Sequence, residues 1–283
     1  MTLIVGMLIV IGCVVGGFMA SGGVLLALWQ PYEVLIIAGG AFGAFVIANP
    51  MHTVKTVFGK LPKLLGGGGF NKAFYMDLLS LLYDLFDKSR KQGVMAIEED
   101  VDNPAESQIF TRYPAITKIE PLMAFITDYL RIISAGNMAP HELEGLMDQE
   151  IETRLHELEE PSHAVTKVAD ALPGFGIVAA VMGVVITMGA IAGPIEEIGH
   201  HVGAALVGTF MGILLAYGFV GPMATSLEHM AHAEIKAYEC VKAAILATMG
   251  GQAPQMAIEF GRKTLMSDKR PGFQELNDHV RSK

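Results

Sequence analysis

The chain has 283 residues, of which 52% are hydrophobic and 17% charged, and its formal net charge is −9. This apolar composition is unusual for a water-soluble domain, and the acidic balance without a basic stripe argues against a nucleic-acid partner. All 20 Lys and Arg residues fall within Lys55–Lys167 or Lys236–Lys283. Positive residues flanking membrane spans stay on the cytoplasmic side, so this partition predicts an integral membrane protein with cytoplasmic polar parts.

Two apolar runs near the N-terminus are long enough to cross a bilayer core of about 30 Å as helices. The first lies within Leu3–Ala20, and the second, Val34–Pro50, follows Glu33. No positive residue precedes the first run, which disfavours a cleaved signal peptide. The connection Ser21–Glu33 has no Lys or Arg and is expected to face the periplasm.

Two further spans are predicted at about Leu172–Ala192 and Val202–Pro222, joined by an external link at Gly193–His201. Four crossings put both termini and the segment between spans two and three in the cytoplasm. The predicted fold is an all-α integral membrane protein with a helical cytoplasmic domain and a helical cytoplasmic tail. Its predicted parts are spans one and two at 1–54, a cytoplasmic domain at 55–170, spans three and four at 171–222 and a tail at 223–283.

Apolar residues at helical spacing predict three cytoplasmic helices, Lys72–Arg90, Pro121–Ser134 and Pro140–Glu160. Gly93 is placed to end the first of them. Met223–Met249 can continue the fourth span as one long helix. Gly66–Gly69 has no Lys-Ser/Thr behind it, so a flexible connection is favoured over a phosphate loop.

Small residues form a stripe along the fourth span: Ala204, Gly208, Gly212 and Ala216. In lipid such residues let helix backbones approach closely, so the stripe predicts tight contact with another helix or subunit.

The interiors of the four predicted spans contain no Asp, Glu, Lys, Arg or His. Ionisable residues at that depth usually mark ion paths, whereas only hydroxyls such as Thr209 remain here, and a threonine can simply bond its own helix. A proton-conducting complex would therefore have to obtain its protonatable group from another chain. Pro173 and Pro222, near the cytoplasmic span ends, can bend their helices. The simpler alternatives are a first-turn residue for Pro173 and a break where the span leaves the membrane for Pro222.

Residues 205–214, Ala-Leu-Val-Gly-Thr-Phe-Met-Gly-Ile-Leu, followed by Pro222, resemble the signature of the motility protein A family of bacterial flagellar stator subunits. Similar stretches include residues 172–183 and the tail sequence at 259–265. The family is related to proton-channel subunits that energise outer-membrane transport and the Tol system. The resemblance covers essentially the whole chain.

The resemblance implies a stator subunit of the inner membrane with no enzymatic activity, metal or cofactor. In that family five A chains surround two chains of motility protein B, which is anchored to peptidoglycan and supplies an ion-carrying aspartate. Ion flow past this aspartate drives movement of the A chains, whose cytoplasmic parts act on the rotor's switch protein FliG.

Several residues are carried over from the family by position. Arg90 and Glu98 match charged residues that interact with the rotor, and Pro173 and Pro222 match prolines that couple ion flow to movement. Thr209 matches a hydroxyl that lines the ion path. Sodium-driven relatives carry a hydroxyl residue at the place of Ala180, so the alanine here predicts a proton as the transported ion.

Two other functions are weighed against a stator. A related energiser of outer-membrane transport would have three spans and an external N-terminus, and a passive membrane scaffold would not need the matches at Thr209, Pro173 and Pro222. An enzyme is least favoured because no nucleophile–base pair is apparent. Two histidine pairs, His200-His201 and His229 with His232, are expected to be solvated rather than metal ligands.

Overall fold

The computed structural model describes residues 2–66, 69–136 and 138–281. Gly67 and Gly68 of the predicted flexible connection lie outside these residues. Every regular element in the described part of the chain is helical, which confirms the all-α prediction. The α-helices are α1 (Thr2–Ala20), α2 (Pro31–Ala48), α3 (Met51–Leu65), α4 (Lys72–Gln92), α5 (Glu98–Asp102), α6 (Pro114–Thr117), α7 (Glu120–Ser134), α8 (Pro140–Gly189), α9 (Ile195–Leu215), α10 (Gly221–Met249), α11 (Pro254–Thr264) and α12 (Phe273–Arg281).

Four helical segments are long and apolar enough to cross a membrane, which confirms the predicted number. They are α1, the stretch Leu25–Ala48, and the apolar parts of α8 and of the run Ile195–Met249. No residue of α1 is buried within the chain. Its apolar surface is therefore available to lipid or to other chains.

The helix α8 is longer than the sequence predicted. The pattern indicated one helix at Pro140–Glu160 and a separate third span, but α8 is a single helix of 50 residues with Pro161 and Pro173 in its interior. The interpretation of Pro173 as a first-turn residue is therefore wrong. Proline removes one backbone hydrogen bond, and a long helix packed against neighbours can absorb that loss.

The fourth span also continues without a break. A π-helical turn, Ala216–Val220, joins α9 directly to α10. The prediction that Met223–Met249 prolongs the fourth span is confirmed, and a helix break at Pro222 is wrong.

The described residues within 1–67 and 157–230 form one compact unit, which holds the apolar spans. Its core includes the amphipathic helix α3, which the sequence analysis did not predict. Val54, Val57 and Leu64 of α3 are buried in a cluster with Phe45 and Leu227. Lys55 and Lys63 of α3 are exposed and belong to the polar face of this helix.

The described residues within 68–156 and 231–283 form the second unit. Its helix α4 begins where the Asn71 side chain accepts a hydrogen bond from the Phe74 amide at 2.9 Å. It ends at Gly93, whose φ of 92° suits glycine, as predicted. α4 buries ten residues and contacts α11 and α12, so the tail packs on the helix that carries Arg90.

Candidate functional site

The helices α8 and α9 pack backbone to backbone through glycine. A Cβ on Gly212 would lie 2.7 Å from the carbonyl oxygen of Leu172 and 3.0 Å from the Cα of Gly176. A Cβ on Gly176 would lie 3.1 Å from the carbonyl oxygen of Gly208. Two residues of the predicted stripe, Gly208 and Gly212, thus lie in a contact between two helices of the same chain.

The other stripe residues are also buried, Ala204 to 7% exposure and Ala216 to 0%. Ala205 lies outside the predicted every-fourth spacing but belongs to the same contact. A Cβ on Gly183 would lie only 2.8 Å from the Cβ of Ala205. The packed face of α9 is therefore wider than the stripe.

Ala180 and Thr209 lie at this contact and are both half-buried. The amide nitrogen of Ala180 is 3.8 Å from the position of a Cβ on Gly208, the residue before Thr209. Within the described part of the chain the Thr209 hydroxyl makes no hydrogen bond, whereas Thr187 Oγ1 donates to the carbonyl of Gly183 at 2.8 Å. The alternative that Thr209 bonds its own helix is wrong, so its hydroxyl is open to another ligand.

Glu33, in the first turn of α2, also reaches this contact. Its Cγ is 3.5 Å, and the Cβ of Ala179 is 3.3 Å, from the position of a Cβ on Gly208. Its Oε2 is buried and has no hydrogen-bond partner among the described residues. The sequence analysis placed Glu33 in the connecting loop, which is wrong, because Glu33 lies in the first turn of α2.

The reason for that error lies in the segment before Glu33. The pattern started the second span after the charge, but α2 begins at Pro31 and the candidate span begins at Leu25. A short 3₁₀ helix, Leu25–Leu28, contacts α9. Apolar structure therefore continues on the N-terminal side of the carboxyl group, and a linear pattern does not reveal which face of α2 meets Gly208.

Pro222 directly follows the π-helical turn. The amide of Gly221 donates to the carbonyl oxygen of Ala216, five residues back. A Cβ on Gly221 would lie 3.0 Å from that same oxygen, which favours glycine there. Pro222 has no N–H for Gly218, so the helix accommodates one extra residue per turn instead of breaking. Pro222 is exposed, and Pro173 in α8 is half-buried.

Arg90 and Glu98 lie on either side of the turn at Gly93, at the end of α4 and the start of α5. Both side chains are exposed. Neither forms an ion pair or a side-chain hydrogen bond with another residue that the structure describes. The two residues selected by the resemblance therefore present unpaired charges of opposite sign.

Several charges around them are paired with one another. Lys88 Nζ lies 2.6 Å from Asp100 Oδ2, and Asp100 is only 7% exposed. Arg131 donates to Asp102 at 2.8 Å, and this hydrogen bond raises the pKa of the guanidinium. In the acidic stretch Glu98–Asp102, Asp100 and Asp102 thus hold the fold together, whereas Glu98 remains available.

A groove of about 450 Å³ opens beside Arg90. Tyr83, Asp87 and Lys91 of α4 line one side, and residues 253–255 at the start of α11 line the other. Lys91 is neutralised by Asp87 at 2.7 Å, and that hydrogen bond raises the pKa of Lys91. The guanidinium of Arg90 is the uncompensated charge of this groove, which suits an acidic partner.

The tail sequence at 259–265 fixes α11 in place. Arg262 is 6% exposed and donates to both carboxylate oxygens of Glu259 at 2.6 Å, and to the Pro271 carbonyl at 2.9 Å. A Cβ on Gly261 would lie 2.7 Å from the carbonyl oxygen of Cys240, so α11 and α10 touch at the backbone. The sequence analysis noted this stretch only as part of a resemblance and missed that it positions one wall of the groove.

Comparison with known proteins finds similarity to motility proteins and to a proton channel family. Residues 4–93 match the profile described as motility protein A N-terminal, and residues 118–240 match the MotA/TolQ/ExbB proton channel family. The chain is 48% identical to motility protein A of Escherichia coli, over 100% of the chain and 96% of that protein. It is 42% identical to the chemotaxis protein LafT of Vibrio parahaemolyticus, over 96% and 95% of the two.

Two solved structures share the fold. One is the MotAB structure from C. jejuni, with a TM-score of 0.77 at 19% identity, covering 94% of this chain and 96% of that one. The other is the flagellar MotAB stator complex from Bacillus subtilis, with a TM-score of 0.68 at 24% identity, covering 93% and 94%.

Proposed function

Because the chain belongs to the motility protein A family, whose members are subunits of flagellar stators, we infer that the α8–α9 contact and the α4–α5 surface are its two working parts. The chain is a membrane subunit of the flagellar motor, where ion flow is coupled to rotation. Its membrane partner is motility protein B, as in the MotAB complexes of the same fold. The related energisers of outer-membrane transport are not favoured, since the matches over the full length are to motility proteins.

The ion passes beside the contact of α8 with α9. Thr209 supports this proposal because its hydroxyl makes no hydrogen bond among the described residues and lies next to the glycine contact. Ala180, on the facing helix, has no side-chain oxygen that could bind an ion. The aspartate that carries the ion is supplied by motility protein B, and the ion is a proton.

Movement is transmitted through the two helices that carry Pro173 and Pro222. The single observation that carries this proposal is that both helical runs continue unbroken through their prolines. A rearrangement at either residue therefore changes the course of a long continuous helix. A passive scaffold has no need of a weakened helix at these two points.

The rotor contacts Arg90, Glu98 and the groove beside Arg90. Exposed ion pairs contribute only about 0–1 kcal/mol each, so such contacts can form and separate repeatedly as the rotor passes. The partner on the rotor is the switch protein FliG, whose surface must present charges of both signs.

The remaining features follow from the family and the charge partition. The chain is proposed to lie in the bacterial inner membrane with both termini and the 55–170 segment in the cytoplasm. Five copies surround the helices of motility protein B and contact lipid through surfaces such as that of α1. The chain itself is proposed to catalyse no reaction and to hold no cofactor.

A complementation experiment tests the function. A flagellated strain that lacks its own motility proteins A and B would receive this chain together with its cognate motility protein B. We expect assembled but paralysed flagella before, and swimming after, expression of both chains. Flagella that stay paralysed although both chains reach the membrane would contradict a stator function.

A further inference from the structure

We propose that the helix α3 binds an anionic phospholipid of the membrane, with Lys55 and Lys63 holding the lipid phosphate and Phe58 lying against the acyl chains. The inference goes beyond the proposed function. It rests on the proposed orientation only for the leaflet, which is then the cytoplasmic one.

The first argument is the position of α3 within its unit. Two extended residues, Asn49 and Pro50, separate α3 from α2, so α3 does not continue the second span. The buried side of α3 packs in one cluster with Leu3, Phe45 and Leu227. These residues lie in the first turn of α1, the last turn of α2 and the second turn of α10. α3 therefore lies at one end of the apolar spans, where lipid headgroups meet water.

The second argument is an exposed apolar side that α3 shares with the second span. Phe58 is 53% exposed, and its ring lies edge-to-face with that of Phe42 in α2, with 6.4 Å between the centroids. Phe42 is exposed too, and so is Met51, two turns before Phe58 on the same side of α3. The exposed apolar surface of α2 thus continues onto α3, as expected for a helix that lies in the membrane interface.

The third argument is the charge of the helix. α3 contains three lysines and no Asp or Glu, whereas the rest of its unit contains only one Lys or Arg, Lys167. Lys60 Nζ donates to the carbonyl oxygen of Leu158 at 3.5 Å. Lys55 and Lys63 are exposed and form no ion pair or side-chain hydrogen bond with any residue that the structure describes. An anionic headgroup supplies the charge that these two lysines lack, and basic segments next to a membrane span attract such lipids.

Gly59 leaves room for the headgroup between the two lysines. Positions 55, 59 and 63 follow one another at intervals of about one turn, so Lys55 and Lys63 are about 12 Å apart along the helix axis with Gly59 between them. A Cβ on Gly59 would meet no atom within 4 Å, so the space above it is open. A phosphate group in this space can accept hydrogen bonds from both ammonium groups, because lysine stems are long and flexible.

The test titrates the purified complex of this chain and its motility protein B, in detergent, with phosphatidylglycerol. Native mass spectrometry measures the lipid that is bound, and zwitterionic phosphatidylcholine is the reference. We expect the parent to prefer phosphatidylglycerol, and K55Q/K63Q to raise the apparent Kd for this lipid about tenfold. K55R/K63R keeps both charges and should bind like the parent.

The matched control is K118Q/K269Q, which removes the same number of charges from the second unit. It should bind phosphatidylglycerol like the parent. Equal affinity of K55Q/K63Q and the parent overturns the proposal, as does an equal loss of affinity in the control. All of these substitutions are at lysines outside the buried core, so the fold should be kept.

A photoreactive side chain identifies what lies against α3. With p-benzoylphenylalanine in place of Phe58, irradiation of membranes should link the chain to phospholipid, which mass spectrometry detects as added mass. A link to a second copy or to motility protein B would overturn the proposal, because this side of α3 would then be a protein contact. The same group in place of Met95, which is exposed between Arg90 and Glu98, should acquire no lipid.

Neither measurement depends on rotation. Flagella that stay paralysed in the complementation experiment would refute the stator function and leave the lipid result unchanged. The failure of one proposal is therefore distinguishable from the failure of the other.

Discussion

The amide of Gly221 donates a hydrogen bond to the carbonyl oxygen of Ala216, one residue further back than in an α-helix. Pro222 follows immediately and has no amide hydrogen to offer Gly218. The π-helical turn is therefore tied to the proline, and it shifts the faces that α10 presents relative to those of α9.

Replacing Pro222 by alanine should uncouple the motor. Alanine restores the missing N–H, so the helix can return to regular α-helical bonding and lose the π turn. We expect P222A to reach the membrane in normal amounts and bind its partner, yet to reduce rotation severely in a tethered-cell assay. Pro62, an exposed proline inside α3, provides the matched control, and P62A should rotate normally. A P222A motor at full speed would show that the turn is only architectural.

Arg90 and Glu98 should act as a pair on the rotor. Since each exposed contact contributes about 0–1 kcal/mol, a single reversal, R90E or E98K, should reduce torque only partly. The double variant loses both contacts and reverses both signs, so we expect it to impair torque much more than either single change. Torque would be measured from the rotation of beads attached to flagellar stubs.

Lys118 and Glu120 provide the control for this experiment. Both are exposed charges of the same unit and lie outside the surface formed by α4, α5 and the groove. The double variant K118E/E120K should generate normal torque. If the R90E/E98K double variant generated as much torque as this control, the rotor contact would lie elsewhere.

Alanine substitutions at the neighbouring residues Asp100 and Glu99 should have very different effects on the free energy of unfolding. Asp100 accepts hydrogen bonds from Lys88 and from Ser107, each at 2.6 Å, and it is buried, while Glu99 is exposed. D100A leaves these donors without their acceptor and should lower the free energy of unfolding by about 2–4 kcal/mol. E99A should change it by less than about 0.5 kcal/mol. Thermal unfolding and limited proteolysis of the purified complex would measure both, and equal stability of the two variants would contradict the pairing.

Gly212 should tolerate no side chain. A Cβ there meets the Leu172 carbonyl oxygen at 2.7 Å, and backbone atoms cannot move aside as a flexible side chain can. G212A should therefore destabilise the α8–α9 contact by about 1–3 kcal/mol and reduce the amount of complex recovered from membranes. Gly203 on the same helix is exposed with open space around it, so G203A should be recovered like the parent. Equal recovery of both variants would contradict the close packing.

Features that depend on bilayer thickness and on local periodicity could be predicted from the sequence. The four spans follow from apolar runs and the absence of Lys and Arg, and the end of α4 follows from Gly93. The stripe with Gly208 and Gly212 follows from its spacing. Each of these depends on residues that are near one another in the chain.

Features decided by distant contacts could not be predicted. The position of Glu33 depends on which face of α2 meets Gly208 in α9, and the continuity of α8 depends on packing that offsets the cost of Pro173. The unpaired charges of Arg90 and Glu98 are recognisable only because Asp100 and Asp102 are paired elsewhere, with Lys88 and with Arg131. Such pairings join residues many positions apart, so no local pattern reveals them.

The motor should run without sodium. A sodium ion that leaves water needs several oxygen ligands to replace its hydration shell, whereas a proton needs only a carboxyl group and water. Thr209 offers one hydroxyl at the α8–α9 contact, and Ala180 on the facing helix offers none. Swimming speed should therefore be unchanged when sodium is replaced by potassium at constant pH. A protonophore that collapses the proton gradient is the control and should stop the cells. Immobility in the absence of sodium, with recovery when it is restored, would refute the assignment and would mean that oxygen ligands of motility protein B complete a sodium site beside Thr209.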